Sequence, residues 1–507
     1  MLPPSTLDRM PDAFVALWQG VEDEILKDIA RRIAKTGTIT ETANWQLWRY
    51  QQTEALRSDV VKLLARYSGK SDTAIRQLLL QAATEAMERE DAIYYHYGLE
   101  PTPFEESAAL NNLLDAGARQ TAGTWKNLTA TTANTVTGQF ERTLDAAWAK
   151  VSTGAFDYKT AVKQAVDSLA DGMKFVTYPT GHTDTLEVAA RRAVLTGVNQ
   201  TGAKLQVARA DEMGVEFFET TAHGGARPSH AEWQGRQFHR GGAVDYMGRH
   251  YPDFEAATGY GTGAGLCGWN CRHTFFAIFP ELGAPPAWTQ ADLEALNARD
   301  IEYNGGKYTR YEISQMQRAR ERTVRKYKRR YLAEDAAGAD TTASAVKLRQ
   351  ARQELSDFIS ATGGRADSAR TSVAGFGRSE AGKASYTARK QERFDSANVE
   401  LQQMREAGTI KAKGKLIESP PAPNEINFAS EHVLQRWAER GMGPMDAERI
   451  IRSSKVAMSQ RNGTQTCYYS EYGFVAIGQN GNVSSIGPLD EGGQKLMEVV
   501  KKHGIPH

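Results

Sequence analysis

Five residues able to grip a metal ion or attack a substrate fall in two short stretches. GLCGWNCRH (265–273) places Cys267, Cys271 and His273 within seven residues, and AHGGARPSH (222–230) supplies His223 and His230 some forty residues upstream. Zinc takes thiolate and imidazole ligands tetrahedrally, so His223, His230, Cys271 and His273, with Cys267 as an alternative ligand, form a candidate structural zinc site. The spacing Cys-x3-Cys-x-His is not a repeated Cys-x2-Cys pattern, and two other readings stand beside it. In one, Cys271 is a small buried residue and the histidines hydrogen-bond loop carbonyls. In the other, Cys271 is a nucleophile beside a histidine, although nothing in the sequence positions an orienting carboxylate or an oxyanion hole.

The elements that must hold these residues can be placed by hydrophobic period. VEFFETTAH (215–223) is rich in β-branched and aromatic residues and predicts a strand running straight into the first loop, while the chain from there to Pro280 is crowded with Gly, His, Tyr and Trp. Ahead of it, a helix is expected from Thr183 or Asp184 to Gly214. Phe14, Leu17, Trp18, Val21, Ile25, Ile29 and Ile33 form an amphipathic stripe from Pro11 to a stop at Gly37. Further stripes follow at Leu56 to Tyr67, from a Ser71 cap through Ile75, Leu78, Leu79 and Ala82, and near Phe140, Leu144 and Trp148.

Between Arg310 and Arg330 there are nine Lys or Arg against two Glu, with Ile313, Met316, Val324, Tyr327 and Tyr331 on one side of a predicted helix. One reading is a solvated helix with a single buried stripe. The other lays Arg318, Arg322, Arg325, Lys326 and Arg329 against DNA phosphates or an acidic partner. Residues 333 to 425 are poor in large apolar groups, and GTIKAKGKLIESPPAPN (408–424) has the composition of a linker. From Ile426 a helix at SEHVLQRWAERG, a second at GPMDAERIIRSS, strands at Val456, TQTCYYS, YGFVAIG and NVSSIG, and a closing helix from Asp490 predict a small α+β unit. The expected organisation is multidomain α+β. It comprises a helical N-terminal domain (1–182), a loop-rich α+β module (183–290), a basic helix with a helical or flexible linker (291–425), and a small α+β domain (426–507).

At 507 residues a single core would not span the chain. The net charge of +1 gives no overall pull toward nucleic acid or membrane, and no apolar run approaches the roughly 18 residues of a membrane span. The first residues, MLPPSTLDRMPDAF, lack the basic start and apolar core of a signal peptide, and three cysteines make no disulfide framework. Folding in a reducing cytoplasm is therefore expected, with no membrane partner.

HGGARPSHAEWQGRQF, GYGTGAGLCGWNCRHTFFAIFPELG and YEISQMQRARERTVRKYKRRY, in that order, resemble the phage minor capsid protein 2 family, which is related to the Mu F-like head morphogenesis proteins. The resemblance covers roughly residues 10 to 380. The matching positions are His223, Gly225, Arg227, Pro228, His230, Trp233, Gly235, Gly265, Asn270, Cys271, Arg272 and His273. It implies a minor structural protein of a tailed-phage or prophage head, near the portal vertex, acting in head assembly or DNA ejection. Its partners would be portal and major capsid proteins and packaged DNA, and it would be found in the virion and, during assembly, in the host cytoplasm.

The last 80 residues resemble, in pattern and order, the barnase, EndoU, colicin and RelE-like nuclease group. That resemblance implies an alternative in which the virion carries a metal-independent RNase-like toxin acting on RNA. RNA cleavage needs an acid or base near the ribose 2′-hydroxyl and cations on the phosphate. His432, Arg436 and Arg440 recur at i, i+4 and i+8, so one helical face presents all three. Arg436 and Arg440 pairing with Glu431 and Glu439 as plain surface charge is the competing reading.

Overall fold

The first apolar stripe becomes helix α1 (Asp12–Ala34), which buries Phe14, Trp18, Val21, Ile25, Ile29 and Ile33. Gly37, its expected stop, lies outside the described residues: the computed structural model describes residues 1–35, 42–153, 157–178, 180–283, 285–421, 423, 425–428 and 431–506. The chain divides into two units, Met1–Glu380 and Ala381–His507, and the architecture is multidomain α+β.

In the first unit, α1 packs with α2 (Thr42–His96), α3 (Ala108–Ser152), α4 (Tyr158–Gly172) and α5 (Leu186–Met213) around Trp18, Trp125 and Phe140, with the Trp18 and Trp125 rings 4.5 Å apart edge to face. Ser71 is not a cap. Helix α2 runs through it, because Leu56, Val60, Leu64, Ile75 and Leu79 stay in phase on one buried face, and the Ser71 hydroxyl donates to the Tyr67 carbonyl at 2.8 Å. The N-cap of helix α5 lies one residue later than Asp184: it is Thr185, accepting from the Val188 amide, and Asp184 instead pairs with Arg192 at 2.9 Å. Gly214 closes it in the left-handed conformation with φ +66°.

The loop-rich module follows. Strands β1 (Phe217–Thr220), β2 (Gln237–His239) and β3 (Phe275–Ala277) form an antiparallel sheet in the order β2-β1-β3, with Phe218 opposite both Phe238 and Ala277. One face packs Phe218, Phe254 and Phe275 into a cluster that includes Cys267 and Cys271. Next come α6 (Arg310–Ala336), opened by a Thr309/Glu312 capping box, and α7 (Thr342–Thr362).

In the second unit, β4 (Lys415–Glu418), β5 (Val456–Gln460), β6 (Gln465–Ser470), β7 (Gly473–Gly478) and β8 (Val483–Gly487) form one antiparallel meander. Period-two alternation gives it two apolar faces. Val456, Met458 and Cys467 pack with Phe394, Ala397 and Leu401 of α8 (Arg378–Glu406) and with Leu496 and Val500 of the last helix, Glu491–Lys502. Ala457, Tyr468, Val475 and Ile486 face the other way, against Trp437 of helix Glu431–Glu439 and Ile450 of helix Pro444–Ser453. The stretch with linker composition is therefore part of this core: Leu416 is 1% exposed and β4 pairs with β5 along its whole length.

Candidate metal centre

The 265–273 loop folds back on itself through backbone contacts. The Leu266 amide donates to the Thr258 carbonyl and the Trp269 amide to the Gly263 carbonyl, and Cys267 and Asn270 take positive φ of 60° and 54°. Gly265 is required here, since a Cβ on it would lie 2.0 Å from the Gly259 carbonyl oxygen. This winding carries Cys271 and His273 inward, to meet His230 from the helical turn Pro228–Ala231.

His230, Cys271 and His273 are 2%, 1% and 2% exposed. Their potential ligand atoms are nearly equidistant: Nδ1 of His230 to Nδ1 of His273 is 3.4 Å, and Cys271 Sγ lies 3.7 Å and 3.6 Å from those two nitrogens. Zinc bonds of about 2.0–2.1 Å to nitrogen and about 2.3 Å to sulfur, in tetrahedral geometry, separate two nitrogens by about 3.4 Å and nitrogen from sulfur by about 3.6 Å. The three atoms therefore stand where three corners of such a tetrahedron would be.

The outer hydrogen bonds fix which ring nitrogen carries a lone pair. His230 Nε2 is 2.9 Å from the Ala264 carbonyl, which can only accept, and His273 Nε2 is 3.1 Å from Gln234 Oε1, which also accepts from the His223 amide. Both Nε2 atoms are thus N–H donors and both Nδ1 atoms face each other as lone pairs, as in a metal-bound histidine whose other ring nitrogen donates to an acceptor behind it. The Cys271 thiol has one proton and can satisfy only one of them. Burial keeps both rings neutral, lowering His230 to about 4 and His273 well below its usual value. Burial also raises the Cys271 thiol, which is the wrong environment for a free nucleophile.

Two more donors border the trio. His223 stacks on His273 with ring centroids 4.4 Å apart; its Nδ1 lies 3.1 Å from the Gly224 carbonyl and its buried Nε2 has no hydrogen-bond partner among the described residues. Cys267 is buried with its thiol donating to the His273 carbonyl at 3.5 Å. Neither belongs to the group of ligand atoms lying within 4.8 Å of one another, which among the described residues is His230, Cys271 and His273.

Two residues on α5, unflagged by motif, anchor the loop. Asn199 Nδ2 donates to the carbonyls of both Cys271 and His273 at 3.0 Å, and buried Gln206 holds Glu90 at 2.9 Å and the Phe275 carbonyl. Their signal in the sequence is a polar residue on the buried stripe of Leu195, Val198, Ala203 and Ala210. Of the other matched positions, Trp233 packs on His230 and His273, Arg227 donates to the Trp269 carbonyl at 2.6 Å, and Arg272 donates to the Gly225 carbonyl at 3.3 Å.

The basic helix turns most of its charge inward. Arg325 pairs with Glu187, Lys326 with Asp171 at 2.9 Å, and Arg329 with both Glu22 at 3.0 Å and Asp23 at 2.9 Å. Arg322 is exposed, and Arg318 is half-buried, with its Nε shielded from solvent and no ion pair among the described residues. In the second unit, the side chains of His432 and Arg436 lie outside the described residues, and Arg440 donates Nη1 to the Ile486 carbonyl at 2.8 Å.

A helical body carrying a closed, loop-rich module is the architecture to which sequence comparison attaches a family. The profile of phage minor capsid protein 2 matches residues 2–360, and the chain belongs to that family. It is thus a structural protein of a phage head and a component of the virion. No curated protein and no solved structure matches it. Among the described residues no helix is long and apolar enough to cross a membrane.

Proposed function

We propose that this chain is a docking protein at the portal vertex of the tailed-phage head, of the Mu F-like kind, with its middle module locked by one zinc ion on His230, Cys271 and His273. The observation that carries the reading is the spacing of the three buried ligand atoms, 3.4, 3.6 and 3.7 Å. A site closed to solvent on every named ligand is suited to holding loops rigid rather than to turning over a substrate, and a metal can do this where the local core is small. A nitrogen-and-sulfur donor set favours zinc over magnesium or calcium. Rigid loops present a preformed surface to portal and major capsid proteins at low entropic cost. The test is to co-express the tagged full chain with the portal and major capsid proteins of the same phage. Recovery of portal with the parent chain, and its loss with His273→Ala, is expected; recovery of major capsid protein alone would overturn the portal assignment.

A second reading concerns the last unit, which has its own two-faced core and lies beyond the family match. Here it acts as an RNase-like effector of the barnase, EndoU, colicin and RelE-like group, through His432, Arg436 and Arg440. Full-length protein should then cut RNA without metal, and His432→Ala should not. Equal cleavage by both, or none by either, removes the reading.

A further inference from the structure

In the first unit, a cavity of about 330 Å³ opens between α1, α5, α6 and the turn at Ala369–Ser372. Arg191, Arg318, Arg322, Arg325 and Arg370 line it, together with the carboxylates Asp12, Glu187 and Glu321. Most of these cations are engaged. Arg191 holds Asp12 and, at 3.6 Å, Asp8; Arg370 holds Asp8 and Asp367 at 3.0 Å; Arg325 holds Glu187.

Arg318 is the exception. Its Nε is shielded from solvent, and among the described residues that atom has no hydrogen-bond partner and the side chain forms no ion pair. Burial, with Arg370 and Arg272 nearby, lowers its pKa to about 10. A guanidinium nitrogen shielded from water and left without an acceptor is costly and is rarely retained unless something pairs with it. Its planar fork suits an oxyanion, and Arg322 at the exposed edge offers a second fork.

We propose that this cavity binds a phosphate group, held by Arg318 with Arg322. Arg318 and Arg322, neither of which forms an ion pair among the described residues, carry two positive charges between them, which suits a phosphate better than a single carboxylate. The site does not depend on where in the head the chain sits, or on whether a metal occupies the histidine–cysteine trio.

The test is the melting temperature of the full chain in inorganic phosphate, chloride and acetate at matched ionic strength, followed by competition with a short DNA duplex. Phosphate at ten times its dissociation constant should raise the midpoint by about 1–3 °C over chloride. Arg318→Gln should fold at least as well as the parent in chloride, since it removes an unpaired charge, and should lose the phosphate response. Arg322→Ala should weaken binding several-fold. Displacement of phosphate by the duplex identifies a DNA backbone as the source, and failure to displace it identifies free phosphate. Equal midpoints in phosphate and chloride, an unchanged response in Arg318→Gln, or acetate matching phosphate would each overturn the proposal.

Discussion

Replacing Arg329 by Met removes a guanidinium that is 11% exposed from between two carboxylates, Glu22 and Asp23, that are 1% and 2% exposed. The other hydrogen bonds to these acids among the described residues are a 3.4 Å bond from the Glu187 amide to Glu22 and a 2.7 Å bond from the Ala374 amide to Asp23; the one further cation acting on them is Lys27, near Asp23 but in no ion pair with it. Breaking a buried pair by deleting one partner costs about 3–5 kcal/mol. The cost should depend on pH in a definite direction. Burial already raises Glu22 to about 7 despite Arg329, so without the arginine Glu22 takes up a proton more readily still. Each pH unit over which one carboxylate is protonated in the folded but not the unfolded state returns about 1.4 kcal/mol. Urea unfolding of parent and Arg329→Met, followed by far-UV circular dichroism, should show a loss of about 3–5 kcal/mol at pH 8, smaller by at least about 1 kcal/mol at pH 5.5. Arg322→Met, at an exposed position on the same helix, should change stability by less than about 0.5 kcal/mol. If Arg329→Met behaved like Arg322→Met at both pH values, the inward-facing charge seam on α6 would be refuted.

Other outcomes follow from single contacts. In the parent protein, Glu22 holds its proton more tightly when folded, so its contribution is fully present below its ordinary value of 4.5 and disappears as pH rises through about 7; thermal midpoints should fall across that window, and should not in Glu22→Gln. Asn199→Ala strips the buried Cys271 carbonyl of its donor, at about 1–3 kcal/mol, leaves the His273 carbonyl with weak thiol donors such as that of Cys267, and should speed proteolysis within 255–273 while leaving the helical signal intact. Gly265→Ala drives a Cβ against the Gly259 carbonyl and should destabilise by at least about 1–3 kcal/mol, seen as a lower thermal midpoint.

The parts legible in the sequence are those set by local period. The stripe of α1, the ends of α5 to within a residue or two, and the strands of the last unit follow from spacing and capping. Ser71 misled because a good capping residue sits mid-helix when packing on both sides stays in phase. The candidate site was legible as residue types: His230, Cys271 and His273 do meet, but which of five donors converge depends on positive φ at Cys267 and Asn270, which no period encodes. The charge on α6 could not be apportioned, because the acids that neutralise it lie far away in the chain: Glu187 is 138 residues from Arg325, and Asp23 is 306 from Arg329. The linker composition near residue 415 hid a strand because its only large buried residue is Leu416 and its stability comes from pairing with β5.

The most direct test of the account is the mass of the intact chain under non-denaturing conditions, with zinc determined on the same sample. One zinc per chain is expected in the parent, removed by a strong chelator and absent from both Cys271→Ser and His273→Ala. An unshifted parent mass, or zinc retained in both variants, would contradict the metal-locked module.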